Sequence, residues 1–330
     1  MEYIIYHREK YEVYDGLLDL SGKGIVNIND IEGLDNLKTL NNLDLSFNEI
    51  SIIEGLEHLD NLEYFDLSSS QITQIRGFSH LKNLKRLYLN DNNIEKIENL
   101  ENLSKLEYLE LNQNELTSIS GLSELKNLQM MQLKNNNITK LENIDNLMSL
   151  TKLYLSQNQI SKLENLDKLS NLKILDLDGN KINKIENLEE SYRLEALILS
   201  NNKITEINDL EQQFRLMLLN LSNNDISQIK NLDECTDLRI LNLATNNISQ
   251  IEGLEKLTNL VNLNLSGNKI SDLSGLENLE KLKILNINNN KIENYDLLKA
   301  LPELEILYLK NTEIAPETLQ KLKEKYKVYR

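Results

Sequence analysis

The chain has 330 residues, a formal net charge of -16, two prolines, one cysteine and no tryptophan. That charge excludes a phosphate backbone or an anionic membrane surface as direct partner, because both need clustered lysine and arginine. The single cysteine excludes an intrachain disulfide framework and a cysteine-rich zinc site. A globular chain of this length usually splits into domains, whereas a stack of repeats, each packed only on its neighbours, grows in one dimension without that limit.

Residues 1–17 read as an N-terminal cap. MEYIIYHREKYEVY alternates apolar and polar residues, the pattern of one or two edge strands covering the first unit of a stack. The segment mixes charges into a short apolar stretch, unlike a secretory leader, and no run in the chain is long enough to span a bilayer. Cytosol or nucleus is the expected compartment.

From 18 to 314 the chain repeats itself. A core residue recurs every 22 residues at Leu43, Phe65, Leu87, Leu109, Met131, Leu153, Leu175, Leu197, Leu219, Leu241, Leu263, Leu285 and Leu307, with no insertion or deletion. An earlier unit, LLDLSGKGIVNINDI at 17–31, is three residues longer. The L-x-L segment predicts a short strand whose two leucines point into the core. The Ile-x-x-Ile-x-x-Leu-x-x-Leu tail has a period of three, which suits a 3₁₀ turn or loose arc better than an α-helix. After each strand stands an asparagine, at Asn48, Asn92, Asn114, Asn136, Asn158, Asn180, Asn202, Asn224, Asn246, Asn268 and Asn290. A buried amide there satisfies the turning backbone as donor and acceptor. Lys23, Ser70 and Thr312 interrupt the column, two of them in terminal units.

This pattern, clearest in LYLSQNQISKLENLDKLSNL at 153–172, is that of a leucine-rich repeat. It resembles the 22-residue class found in nuclear regulatory subunits of protein phosphatase 1, in a leucine-rich subunit of the spliceosomal U2 particle and in cytoskeletal and ciliary scaffolds. Bacterial internalins use a similar repeat, but they are secreted and continue into an immunoglobulin-like region, and neither feature is seen in this sequence. The resemblance covers 18–314. It implies an α/β leucine-rich-repeat solenoid of about fourteen repeats, with a curved parallel sheet on the concave side and 3₁₀ or short helical arcs on the convex side. It also implies a non-enzymatic scaffold or regulatory subunit that grips a protein partner on its concave face. The phosphatase analogy leads one to expect acidic and aromatic residues along the concave strands. A phosphatase-1 regulator and a protein-binding subunit of a ribonucleoprotein are the narrower alternatives.

The residues flanking each central strand leucine face the concave surface. In the N-terminal half these columns bring together Tyr64, Asp66, Arg86, Tyr88, Tyr108, Glu110, Met130, Lys152 and Tyr154, with Asp44, Asp176 and Asp178 at the margins. Tyrosine, methionine and arginine are the types enriched at protein interfaces. This patch is the expected partner site, and its acidic rim calls for a protein with a basic surface. In the C-terminal half one column settles into asparagine at 220, 242, 264 and 286. Its neighbour becomes aliphatic at Ile174, Ala196, Leu218, Ile240, Ile284 and Ile306.

On the convex side a regular leucine position becomes Ser191, Gln213 and Cys235. Tyr192 and Phe214 stand next to the first two and are expected to swing into the vacated space. Cys235 is expected to be a small buried hydrophobe. Residues 315–330 read as a C-terminal helical cap: Pro316 opens ETLQKLKEKY, whose Leu319 and Leu322 can cover the last leucines, and 327–330 can add a strand. The capped ends argue against end-to-end stacking and leave face-to-face pairing open, and a monomer is expected. His58 and His80 share a convex position in successive units but lack a third ligand for a metal. No phosphate loop, nucleophile elbow or enclosed acid–base pair is visible, so neither catalysis nor a cofactor is expected.

Overall fold

The computed structural model describes residues 2–330, and the chain divides into two compact units, one ending at Gln159 and the other starting at Ile160. Fourteen parallel strands, each followed by a turn and an arc, make it a solenoid of about fourteen turns.

The first unit opens with a hairpin of β1 (Tyr3–Tyr6) and β2 (Glu9–Glu12), which form their own two-stranded antiparallel sheet. Ile4 and Tyr6 are buried, and Ile5 exchanges two backbone hydrogen bonds of 2.9 Å with Glu32. The hairpin thereby covers leucines that have no preceding repeat. Then come β3 (Leu17–Asp19), β4 (Asn42–Asp44), β5 (Tyr64–Asp66), β6 (Arg86–Tyr88), β7 (Tyr108–Glu110), β8 (Met130–Gln132) and β9 (Lys152–Tyr154), each paired parallel with the next and in register. The central residue of each strand from β3 to β9 is fully buried, and its two neighbours face outward.

The second unit repeats this with β10 (Ile174–Asp176), β11 (Ala196–Ile198), β12 (Leu218–Asn220), β13 (Ile240–Asn242), β14 (Asn262–Asn264), β15 (Ile284–Asn286) and β16 (Ile306–Tyr308). Helix α1 (Pro316–Lys325) follows, and β17 (Lys327–Tyr329) pairs parallel with β16. Pro316 starts the helix, where its missing N–H costs nothing. Leu322 and Tyr326 are buried, and Tyr326 donates its hydroxyl proton to the Leu298 carbonyl. Leu319 is only half-buried, so the tyrosine does part of the covering expected of it. Among the described residues no helix is long and apolar enough to cross a membrane.

The arcs are mostly single turns. Leu59 N–H donates to Leu56 O at 2.9 Å and Leu62 N–H to Leu59 O at 3.1 Å, and later units repeat the step. Only Ile28–Asp30, Leu34–Asn36 and Asp296–Ala300 extend into 3₁₀ helix. One bond per three residues places every third side chain inward without continuous helical bonding. The arcs before the last are entered through a left-handed residue, glycine or a short polar side chain. At Gly121 (φ 65°) a Cβ would lie 2.5 Å from the Ile97 carbonyl. Asn99 (φ 59°) and Asn143 (φ 58°) hold the same place in adjacent repeats, and each donates its amide to an earlier carbonyl at 2.7 Å. This second asparagine column escaped the sequence reading, although glycine and asparagine share a register there.

The main asparagine column forms the predicted ladder. Asn136 donates through Nδ2 to the carbonyls of Leu111 (2.9 Å), Leu133 (3.1 Å) and Lys134 (3.3 Å), while its Oδ1 accepts the Leu116 N–H at 3.0 Å. The residue before each rung is left-handed: Gln113, Asn135 and Gln157 have φ of 54°, 54° and 57°. Ser70 is too short for this role, and its buried hydroxyl has no partner among the described residues. Removing a rung leaves several buried backbone groups unpaired, each costing about 1–3 kcal/mol. Asn136→Ala should therefore destabilise the protein by roughly 3 kcal/mol or more. Ser70→Asn should stabilise it by about 1 kcal/mol. Denaturant unfolding of the two variants checks both, and a stabilised Asn136→Ala would refute the ladder's role.

Candidate partner-binding surface

The open sheet face of the first unit carries the predicted patch on consecutive strands. Tyr64 and Asp66 flank Phe65 on β5, Arg86 and Tyr88 flank Leu87 on β6, and Tyr108 and Glu110 flank Leu109 on β7. Met130 lies on β8, and Lys152 and Tyr154 on β9. In-register pairing sets Tyr64 beside Arg86 and Tyr88 beside Asp66 and Glu110. Asp176 lies on β10 in the second unit and is buried, so it offers a partner little surface.

The aromatic rings fall into two states. Tyr64 and Tyr88 pack on each other, with centroids 5.1 Å apart and planes at 40°, and among the described residues no cation lies over either. Arg86 instead covers Tyr108 at 5.0 Å, and Lys134 covers Tyr154 at 4.7 Å. A depression of about 320 Å³, lined by Asn42, Glu63, Tyr64, Lys85, Arg86 and Glu107, adjoins the Tyr64 ring.

The carboxylates are held by dipoles rather than by charge. Asp44 accepts from the Ser46 N–H (2.9 Å) and hydroxyl (2.6 Å). Asp66 accepts from the Ser68 N–H at 2.8 Å and from the Tyr64 hydroxyl at 3.4 Å. Glu110 receives the Asn90 amide at 3.0 Å and the Gln132 amide at 2.9 Å. None of the three forms an ion pair among the described residues. Burial pushes the Asp66 carboxyl above the usual carboxylate range, with the Asp44 charge acting the same way against its serine hydrogen bonds. Burial likewise raises Glu110, with Asp66 adding to it. The Tyr64 hydroxyl is also raised, by burial first and by Asp66 next.

Phe47 was missed by the sequence reading. It stands three residues past β4, is 69% exposed and adopts φ 56°. A bulky residue in the left-handed region is a strained exception. Its signal was visible as the one aromatic in a column otherwise filled by small or polar residues.

The arc-side expectation for Tyr192 and Phe214 is corrected. Both rings are exposed, at 38% and 45%, while Ser191, Gln213 and Cys235 fill the leucine position themselves, fully buried. Gln213 donates to the Leu188 carbonyl at 2.8 Å, and Cys235 Sγ lies 3.8 Å from the Leu210 carbonyl. Ser191 Oγ and Gln213 Oε1 are buried without a partner among the described residues, so polar side chains occupy the slot at a cost and the next residue stays outside. Burial pushes the Cys235 thiol up to about 12, the state of an inert buried thiol. The His80 ring donates through Nε2 to the Leu56 carbonyl at 2.7 Å.

The first unit thus carries an uncovered parallel-strand face set with paired tyrosines and with carboxylates that form no ion pair among the described residues. A family model for the leucine-rich repeat matches residues 27–149, and a model of two such repeats matches 148–190 and 258–298. An internalin of Listeria monocytogenes (inlF) is 30% identical, with a TM-score of 0.80 over 91% of this chain and 87% of that one. A leucine-rich-repeat protein of Leptospira interrogans is 27% identical, with a TM-score of 0.76 over 95% of each chain. The functional domain of InlJ from Listeria monocytogenes, at 24% identity and TM-score 0.72 over 91% and 68%, shows the shared fold alone. No curated protein matches the chain. The chain belongs to the leucine-rich-repeat family.

Because a raised carboxyl is disfavoured in its charged form on folding, Asp66 lowers stability at neutral pH. That penalty vanishes as the pH falls below the ordinary carboxylate value, where folded and unfolded chains are both protonated. Asp66→Asn should thus raise the thermal midpoint at neutral pH, with the gain shrinking toward acid. An equal gain at every pH would refute the electrostatic account.

Proposed function

We propose that the protein binds another protein on the open sheet face of its first unit, and that the partner presents a basic surface. Leucine-rich repeats generally serve protein–protein interaction, and their bearers are typically non-enzymatic scaffolds. The observation that supports the site is a mismatch within it. Arg86 and Lys134 cover Tyr108 and Tyr154, whereas among the described residues no cation lies over the Tyr64–Tyr88 pair or in an ion pair with Asp44, Asp66 or Glu110. A partner arginine or lysine would meet ring faces and negative charge together. The strands are preformed, so binding orders few side chains. A cytosolic or nuclear compartment belongs to this reading. A phosphatase-1 regulatory subunit and a protein-binding subunit of a ribonucleoprotein are narrower forms of it, resting on the repeat length.

The test is affinity capture from extract of the source cells with wild type, Tyr64→Ala/Tyr88→Ala and Asp44→Asn/Asp66→Asn/Glu110→Gln, all checked for folding by circular dichroism. A partner retained by wild type should be lost at least tenfold with each variant, on the scale of about 1.4 kcal/mol per decade. Its retention should weaken with salt. It should also fall as acid protonates Asp66 and Glu110, beginning above the ordinary carboxylate range. Equal retention by both variants would end this reading. Phe47→Asn should raise stability by about 1 kcal/mol by relieving the left-handed strain, yet weaken capture. Gain on both counts would remove Phe47 from the surface.

A further inference from the structure

The second unit offers a different chemistry on the same kind of face. From Ala196 on β11 to Tyr308 on β16 no outward strand position is charged, in a chain where charged residues make up 27%. Leu218, Ile240, Ile284 and Ile306 form an aliphatic row, and Ile240 is 40% exposed. Beside it runs a row of asparagines whose acceptors are already used. Asn242 Oδ1 takes the Ala244 N–H, Asn264 Oδ1 the Ser266 N–H, and Asn286 Oδ1 the Asn288 N–H, each at 3.1 Å. The Nδ2 groups of these three residues have no partner among the described residues. This asparagine row thus presents amide donors whose own oxygens are engaged. At its end the Tyr308 and Tyr329 rings stack, 4.8 Å apart at 13°.

We propose that this row binds an uncharged, proline-rich segment in the polyproline II conformation. Three facts converge on that occupant. A donor-only row needs an acceptor-only backbone, and proline has a carbonyl but no N–H. An uncharged face favours an uncharged ligand, since a buried unpaired charge is costly. The spacing also fits: a polyproline II turn of three residues advances about 9.3 Å, and two strand steps span about 9.6 Å. Ile240 and Ile284 sit two strands apart, with Asn262 between them. Apolar side chains three residues apart therefore meet Ile240 and Ile284. A neutral glycan fits less well, because its hydroxyls are donors too and find the oxygens of Asn242, Asn264 and Asn286 occupied.

The experiment uses the full chain and a dye-labelled, acetylated and amidated Pro-Pro-Leu repeat of roughly twelve residues, about four polyproline II turns, followed by fluorescence anisotropy. Saturable binding that is insensitive to salt is expected. Asn242→Asp/Asn264→Asp/Asn286→Asp keeps the oxygens that hold the turns and replaces the free donors, and it should weaken binding about tenfold or more. Ile240→Lys should weaken it comparably and keeps the test decisive if the triple variant is unstable. Tyr64→Ala/Tyr88→Ala should bind the peptide as wild type does, which separates this site from the basic-partner surface. No saturable binding, unchanged affinity in the triple variant or in Ile240→Lys, equal affinity for a Gly-Gly-Leu repeat, or displacement by a neutral oligosaccharide would each overturn the proposal.

Discussion

Everything in this protein hangs on the side-chain amide held inside the turn that follows each strand. Leaving a strand for the arc turns the chain inward, which buries carbonyls and an N–H that no neighbouring strand can reach. At Asn136 a single residue meets four of those groups, two of them in the preceding repeat. The rung is thus both a cap for its own turn and a tie between repeats. Buried backbone groups left unpaired cost more than the leucines around them can easily offset, so the 22-residue register cannot drift.

That constraint frees the strand faces. Once the central strand residue is buried and the amide closes the turn, the outward positions owe the core little beyond accepting an N–H of their own turn, and they differ from repeat to repeat. In the first unit they hold rings and carboxylates, and hydrogen-bond donors fix those acids in place without neutralising them. In the second unit the asparagines use their oxygens on their own turns and turn only donors outward. One scaffold thereby carries two kinds of strand face, one acidic and aromatic and one uncharged.

The arc side obeys a looser rule. Inward positions there recur every third residue and are closed by single turns, and they admit polar side chains of different length in place of leucine, one of which reaches a carbonyl. Gln213 does so through Leu188. Tyr192 and Phe214 consequently have no hole to fill, and they stand exposed.

Repeat length, strand positions, the buried amide column and both end caps were legible in the sequence, because a stack brings residues 22 apart into contact and turns periodicity directly into geometry. The outward columns were legible for the same reason, down to which of Tyr64, Tyr88, Tyr108 and Tyr154 share a face. What sequence order does not encode is the choice among neighbours once they meet. Only the folded chain shows that Arg86 lies over Tyr108 rather than Tyr88, that Asp176 is buried, that Phe47 is held at φ 56°, and that asparagine oxygens are spent within their own turns. Those outcomes depend on side-chain rotamers and competing hydrogen bonds across adjacent strands, and no periodicity fixes them.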